Sequence, residues 1–304
     1  MAKLPDLQNK LDFFFEIKKL VKDPSMSAKI PKIYEEAGID CTKYFETDFM
    51  QRTNGLMIKG AENVENVFAS VFPAPEVMDR FLNESHPGDL LFLHHPLFSI
   101  SGNLKGKPGK GFIPIPEPTL RKIKGKQLSV YTCHAPLDYN KEVSTSLAMV
   151  RALNGKVAAS FCPYGNGDAG LVCDVKPITT QQLIEKCKEI YQIPYVDFFG
   201  PVNNNITKIA CIGGSGLMTE WMQEAEQLGA QAYVTGDVTS HYTNDYGKEL
   251  AEKVEDYAKT TKMSLIGVSH AASEFLVIKT QLNNWFEETL GINIIPIPLS
   301  DWWQ

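Results

Sequence analysis

The sequence predicts an α/β protein built as two halves, each on largely parallel strands. Two observations carry that reading. From about residue 205 the apolar runs alternate strand, helix, strand, helix, strand, helix, and the same alternation occupies residues 63–155. Alternation of this kind calls for parallel pairing through crossover helices. The halves join near residues 156–205. Of 304 residues, 43% are hydrophobic and 22% charged, enough core for one large domain or two medium ones.

The elements follow from apolar runs and their punctuation. MAKLPDLQNKLDFFFEIKKL opens the chain as a helix; it has no small-residue cleavage site and no sustained apolar region, so it does not read as a signal peptide. NVENVFASVF (63–72) is a strand, PEVMDRFLNES (75–85) a helix beginning at Pro75, and DLLFL (89–93) a strand. Residues 100–127 are irregular and rich in Gly, Pro and Lys. LSVYTC (128–133) is rich in β-formers, and KEVSTSLAMVRALNG (141–155) has helical spacing with a Gly stop. GLVCDV (170–175) is a short strand and TTQQLIEKCKEIYQI (179–193) an amphipathic helix. Strands at 208–212, 232–235 and 264–268 then alternate with helices at 217–229, 247–262 and 273–291, and INIIPIP closes with a strand.

Bulk chemistry excludes several classes. The net charge of −6 is spread along the chain, and no basic domain suits a nucleic acid. No run approaches the ~18 apolar residues of a membrane span. Six cysteines are scattered without a CxxC pair, several in apolar runs, which predicts reduced, buried thiols and a cytoplasmic protein.

The histidines carry the chemistry. There are six: His86, His94, His95, His134, His241 and His270. Five lie at or just after the end of a predicted strand. His94 and His95 follow DLLFL; His134 follows SVYTC with Asp138 four residues on; Asp237 precedes His241 by four; His270 precedes Glu274 by four. In a parallel sheet all strand C-termini share one edge, outside which ligands bind. Residues four apart share a helical face, so His270 and Glu274 can address one ion. His94 and His95 would point oppositely in a regular strand, but Pro96 ends the ladder there. Imidazole and carboxylate together suit zinc, iron, manganese, nickel or cobalt. The set is too large for one tetrahedral ion and suggests a pair. Taken singly, each histidine reads more readily as a loop or capping residue than as a ligand.

Other features have plainer readings. IGGSG (212–216) can cradle an anion or form a tight turn, the turn being favoured. Lys105, Lys107 and Lys110 form a basic Gly-rich loop, favoured as solvated rather than substrate-closing. Ser215 lacks the GxSxG pattern of a nucleophile. Met218, Trp221 and Met222 look like packing, and Trp302 and Trp303 like a tail anchor.

LLFLHHPLF, VYTCHAPLD, IGGSG, YVTGDVTSH and VSHAASE, in this order over roughly residues 54–290, resemble the family named for the yeast NGG-one-interacting factor three, many of whose bacterial members are called GTP cyclohydrolase type two homologues. The resemblance implies an α/β/α sandwich of two similar halves with a dinuclear metal centre between them, and a toroidal homohexamer. It implies His94, His95, Asp138, His270 and Glu274 as ligands of two divalent ions, His134 in the same pocket as a supporting group or base, and Asp237 and His241 at its rim. The chain then divides into a helical extension (1–50), a first half (51–160) and a second (161–304), the link being too short for the inserted middle domain of longer members. Departures are RTNGLMIKG in place of a Trp-Asp-Asn-x-Gly stretch, with only Asn54 and Gly55 kept, Ser269 for a usual Gly, and Ala135-Pro136 for a small polar pair. These bear on a substrate pocket and leave every ligand in place.

Two functions follow as expectations. One is a metal-dependent hydrolase of a nucleotide-like or phosphate-bearing small molecule, with His134 or Glu274 moving protons. The other is a non-catalytic metal or cofactor carrier that supports assembly.

Overall fold

A computed structural model describes residues 2–100 and 111–301. The basic loop Lys105, Lys107 and Lys110 and the terminal Trp302 and Trp303 lie outside the described residues. The fold is mixed α/β, and the chain divides into two compact units. One comprises Met1–Leu137 with Ile278–Leu299; the other is built on Asp138–Val277.

The first unit holds a five-stranded sheet ordered Ile294–Pro296, Val67–Ser70, Leu90–Leu93, Ser129–Thr132, Gly55–Ile58. All neighbours pair in parallel except Gly55–Ile58, which runs antiparallel to Ser129–Thr132. The three central strands are buried at every position, as strands covered on both faces must be. Leu91, Leu93 and Phe68 face one core with Phe81, Leu120, Tyr34 and Phe49. Phe92 turns the other way, against Tyr131, Phe286 and Phe15. Tyr34 and Phe49 come from the N-terminal helices Ile30–Glu36 and Thr47–Arg52, so the extension is a built part of this core. The expected strand 63–72 is two pieces, Asn63–Val64 and Val67–Ser70, because the Glu65-Asn66 step leaves the ladder to bond Asp89.

The second unit holds six strands ordered Asp197–Phe199, Ser264–Gly267, Ala232–Thr235, Ile206–Ile212, Gly167–Ile178, Lys156–Tyr164. The three central strands expected at 208–212, 232–235 and 264–268 are parallel. The flanking strands are antiparallel. Residues 156–178, read as a link with one short strand, form a long hairpin whose first strand is mostly exposed. The expected helix 273–291 starts earlier, at His270, and is interrupted by a π-helical segment Ile278–Leu282 where the chain passes from one unit to the other. All six cysteines are buried, as read. Among the described residues no helix is long and apolar enough to cross a membrane.

Candidate metal centre

In the first unit the parallel register sets Leu93 beside Thr132, so both strands run out at one edge. His94, His95 and His134 follow there. The His94 and His95 amides bond Ser70 O and Val71 O at 3.1 and 2.9 Å, and the chain then turns at Pro96. This departure from regular pleating lets adjacent imidazoles address one place. Ring centroids are 4.7 Å apart for His94–His95, 4.8 Å for His94–His134 and 4.7 Å for His95–His134. One nitrogen of each lies within 4.8 Å of the others, and all three residues are buried. Phe72 stacks on His95 at 4.3 Å and fixes its plane.

The hydrogen bonds select the tautomers. The His94 Nδ1 lies 3.0 Å from Cys133 O, which can only accept, so Nδ1 carries the proton and Nε2 the lone pair. His134 makes its contact through Nδ1 to Ser25 Oγ at 3.0 Å, with Asp23 Oδ2 at 3.4 Å. Burial alone would raise the Asp23 carboxyl; the facing His134, with bonds from Ser25 and Asn54, holds it well below the usual carboxylate range.

In the second unit the same logic of strand ends applies. Gly213 and Gly214 follow Ile212, Asp237 follows Gly236 after Thr235, and His270 opens the helix His270–Val277 beyond Gly267. His270 Nδ1 is 2.8 Å from Asp237 Oδ2, and Nε2 is 3.1 Å from Glu274 Oε1. The four-residue spacing thus brings His270 and Glu274 together. Burial opposes charge on His270, but Glu274 and Asp237 outweigh it and raise its pKa well above the ordinary value. Glu274 is 3% exposed, a position that favours a cationic neighbour over water. Asp138 is buried and accepts from Thr145 Oγ1 at 3.1 Å.

The GGSG turn serves this cluster. A Cβ on Gly214, whose φ is +68°, would lie 2.3 Å from Glu274 Oε1 and 3.2 Å from His270 Nε2. The absent side chain is the space the carboxylate occupies. The turn's amides are already used: Gly213 N bonds Ser146 Oγ, Gly214 N bonds Ser273 Oγ, and Gly216 N bonds Thr235 Oγ1. That supports the turn reading over an anion cradle. His241 is exposed and bonded to Asp197 at 2.8 Å, not to Asp237, and His86 is exposed beside Asp89.

Each unit therefore gathers its own donors, imidazoles in one and imidazole with carboxylates in the other. Hard and borderline divalent ions accept such mixed sets. The sequence reading missed Asp23, Ser25 and Thr145. Asp-Pro-Ser at 23–25 is a turn signal, and nothing in it announces a partner 109 residues away.

A model of the Duf34/NIF3 (NGG1p interacting factor 3) family matches residues 49–301. The chain belongs to that family. A relative from Pyrococcus abyssi called GTP cyclohydrolase 1 type 2 homolog is 24% identical over 249 residues, 80% of this chain and 88% of the relative. One of the same name from Clostridium acetobutylicum is 27% identical over 206 residues, 64% of this chain and 71% of its own. The one from Staphylococcus aureus strain MRSA252 is 36% identical over 129 residues, 41% of this chain, and the match spans only 31% of that protein's length. Among solved structures, protein ybgI, described as of unknown function, matches with TM-score 0.66 at 16% identity over 99% of this chain and 100% of its own. Reduced HcgD from Methanocaldococcus jannaschii matches with TM-score 0.62 at 17% identity over 98% of each. At these identities the structural likeness is one of fold.

Proposed function

We propose that this chain is a dinuclear metal-binding protein and, as an enzyme, a metal-dependent hydrolase of a nucleotide-like or other phosphate-bearing small molecule. One observation carries the metal reading: His94, His95 and His134 are buried with ligand atoms within 4.8 Å of one another. Imidazoles at that spacing repel once protonated, and a divalent cation is a partner they can share in neutral form. The carboxylates Asp138, Asp237 and Glu274 in the other unit, and membership of the family, support the rest.

In this reading His94, His95, Asp138, His270 and Glu274 hold two divalent ions per subunit, with zinc, iron, manganese, nickel and cobalt all suited to the donors. The halves 51–160 and 161–304 form an α/β/α sandwich around them, behind the extension 1–50 and without an inserted domain. Bound ions supply Lewis acidity and acidify water. The chain's own part is proton handling: His134 holds or takes a proton at Nε2 and Glu274 at its carboxylate. The working form is a cytoplasmic toroidal homohexamer acting on a small molecule.

Elemental analysis of protein purified without a histidine tag tests the metal first, and about two equivalents are expected on this reading. His95→Ala and Glu274→Ala should abolish turnover in a screen of nucleotides and phosphate esters while unfolding in chelator stays parental. Parental turnover in both variants refutes the enzyme. Broad inactivity with tight, exchangeable metal favours the carrier instead.

A further inference from the structure

The geometry points to Asp23 and Ser25 as positioning residues that fix His134 with its proton on Nδ1 and its lone pair on Nε2. This rests on the proposed metal centre, in which His134 stands beside His94 and His95 as the supporting group or base. Both residues lie outside the span 49–301 that the family model matches. A segment outside that span thus reaches a histidine inside it.

The proton count decides the direction of the bonds. Asp23 is 2% exposed and acts only as an acceptor. Its Oδ1 accepts from Ser25 N at 2.8 Å and from the Ser25 hydroxyl. Its Oδ2 accepts from Asn54 Nδ2 at 2.7 Å and Ala135 N at 3.3 Å. A serine hydroxyl has one proton, and this one is given to Asp23. At its other contacts Ser25 Oγ must therefore accept, from Ser27 N at 3.0 Å and from His134 Nδ1 at 3.0 Å. An Nδ1 that donates leaves the Nε2 lone pair as the one a cation or a substrate proton can use. Asn54 locks the assembly from the other side: its Oδ1 accepts from His134 N at 2.6 Å while its Nδ2 holds Asp23. Carboxylate, hydroxyl and imidazole thus form a relay across two separate chain segments, with Asn54 bracing it from a third. Outer partners that fix the side chains of a metal pocket typically cost ~10–100-fold in metal affinity when lost.

The test compares the parent with Asp23→Ala and Ser25→Ala by two measurements. Side-chain 15N spectra of the metal-free proteins, with the His134 signal assigned against His134→Gln, report the tautomer. Competition titration with Co2+ reports affinity. The expected result is an Nδ1-protonated His134 in the parent, a mixed or reversed tautomer in the variants, and affinity lower by ~10–100-fold for Asp23→Ala. Asp23→Glu should restore part of both, which a merely structural loop contact would not require. If Asp23→Ala does not fold, Ser25→Ala decides alone. An unchanged tautomer in folded variants overturns the inference, whatever the affinity does. A parent that binds no metal, with the tautomer still shifting in the variants, removes the metal reading and leaves the positioning role standing.

Discussion

Replacing Gly214 by alanine should separate metal binding from folding. The new Cβ would lie 2.3 Å from Glu274 Oε1, where ordinary contact begins at 3.4 Å, so the carboxylate must retreat by about 1 Å. Metal–ligand bonds tolerate deviations of only ~0.2 Å, so a displaced Glu274 no longer reaches an ion shared with His270. Affinity should fall ~10–100-fold, the scale of losing ligand support. The cost to folding is smaller, because the clash falls on the far end of a flexible side chain. What remains is the left-handed backbone at φ +68°, worth ~1–2 kcal/mol for a residue with a Cβ. The assay is competition titration with Co2+ or Zn2+, beside urea unfolding in chelator. Parental metal affinity in Gly214→Ala would refute the placement of Glu274 in the centre. A collapse of stability with little change in affinity would show the turn to be structural only.

Two further outcomes test the fold around the site. Glu226 accepts from Lys262 N at 2.7 Å, Tyr257 Oη at 2.7 Å and Thr261 Oγ1 at 3.1 Å, and although burial opposes it, these bonds lower its pKa. A depressed carboxyl contributes stability that is present above the unfolded value of ~4.3 and lost as pH falls through the folded one. Glu226→Gln should therefore lose ~1–3 kcal/mol near neutral pH, and its deficit against the parent should shrink below about pH 4, read by urea unfolding across pH. Tyr34 Oη donates to Leu97 O at 2.6 Å and accepts from Ile115 N at 3.2 Å, both buried. Tyr34→Phe leaves two backbone groups without that partner and should cost ~2–4 kcal/mol in the same assay, whereas a neutral result would mean that water replaces the hydroxyl.

Much of the fold was legible where a segment's own pattern answers to burial. The strands Leu90–Leu93, Ser129–Thr132, Ala232–Thr235 and Ser264–Gly267 appear within a residue of their apolar runs, since strands buried on both faces read as continuous hydrophobics. The hairpin 156–178 was missed because Lys156–Ser160 is mostly exposed and shows no buried face. Its turn was nonetheless written in the chain: Gly165-Asn166 joins Tyr164 to Gly167, with Gly165 at φ +63°. The helix 273–291 looked continuous because its apolar positions recur at helical spacing, and periodicity does not register the extra residue of a π segment. Ser269, where the family resemblance expects Gly, holds φ +79°, a backbone value that explains the usual choice.

By itself the sequence determined the donor types, the strand ends on which they fall and the His270–Glu274 spacing, because each is a property of a short segment. Tertiary structure alone decided which atom of His94 and of His134 carries the lone pair, that Asp237 rather than His241 serves His270, and that Gly214 makes room for Glu274. It also brought Asp23 and Ser25 to His134. The physical reason is that periodicity encodes which face is buried, while a hydrogen bond depends on a partner that distant folding delivers, and a turn such as Asp23-Pro24-Ser25 carries no period to read.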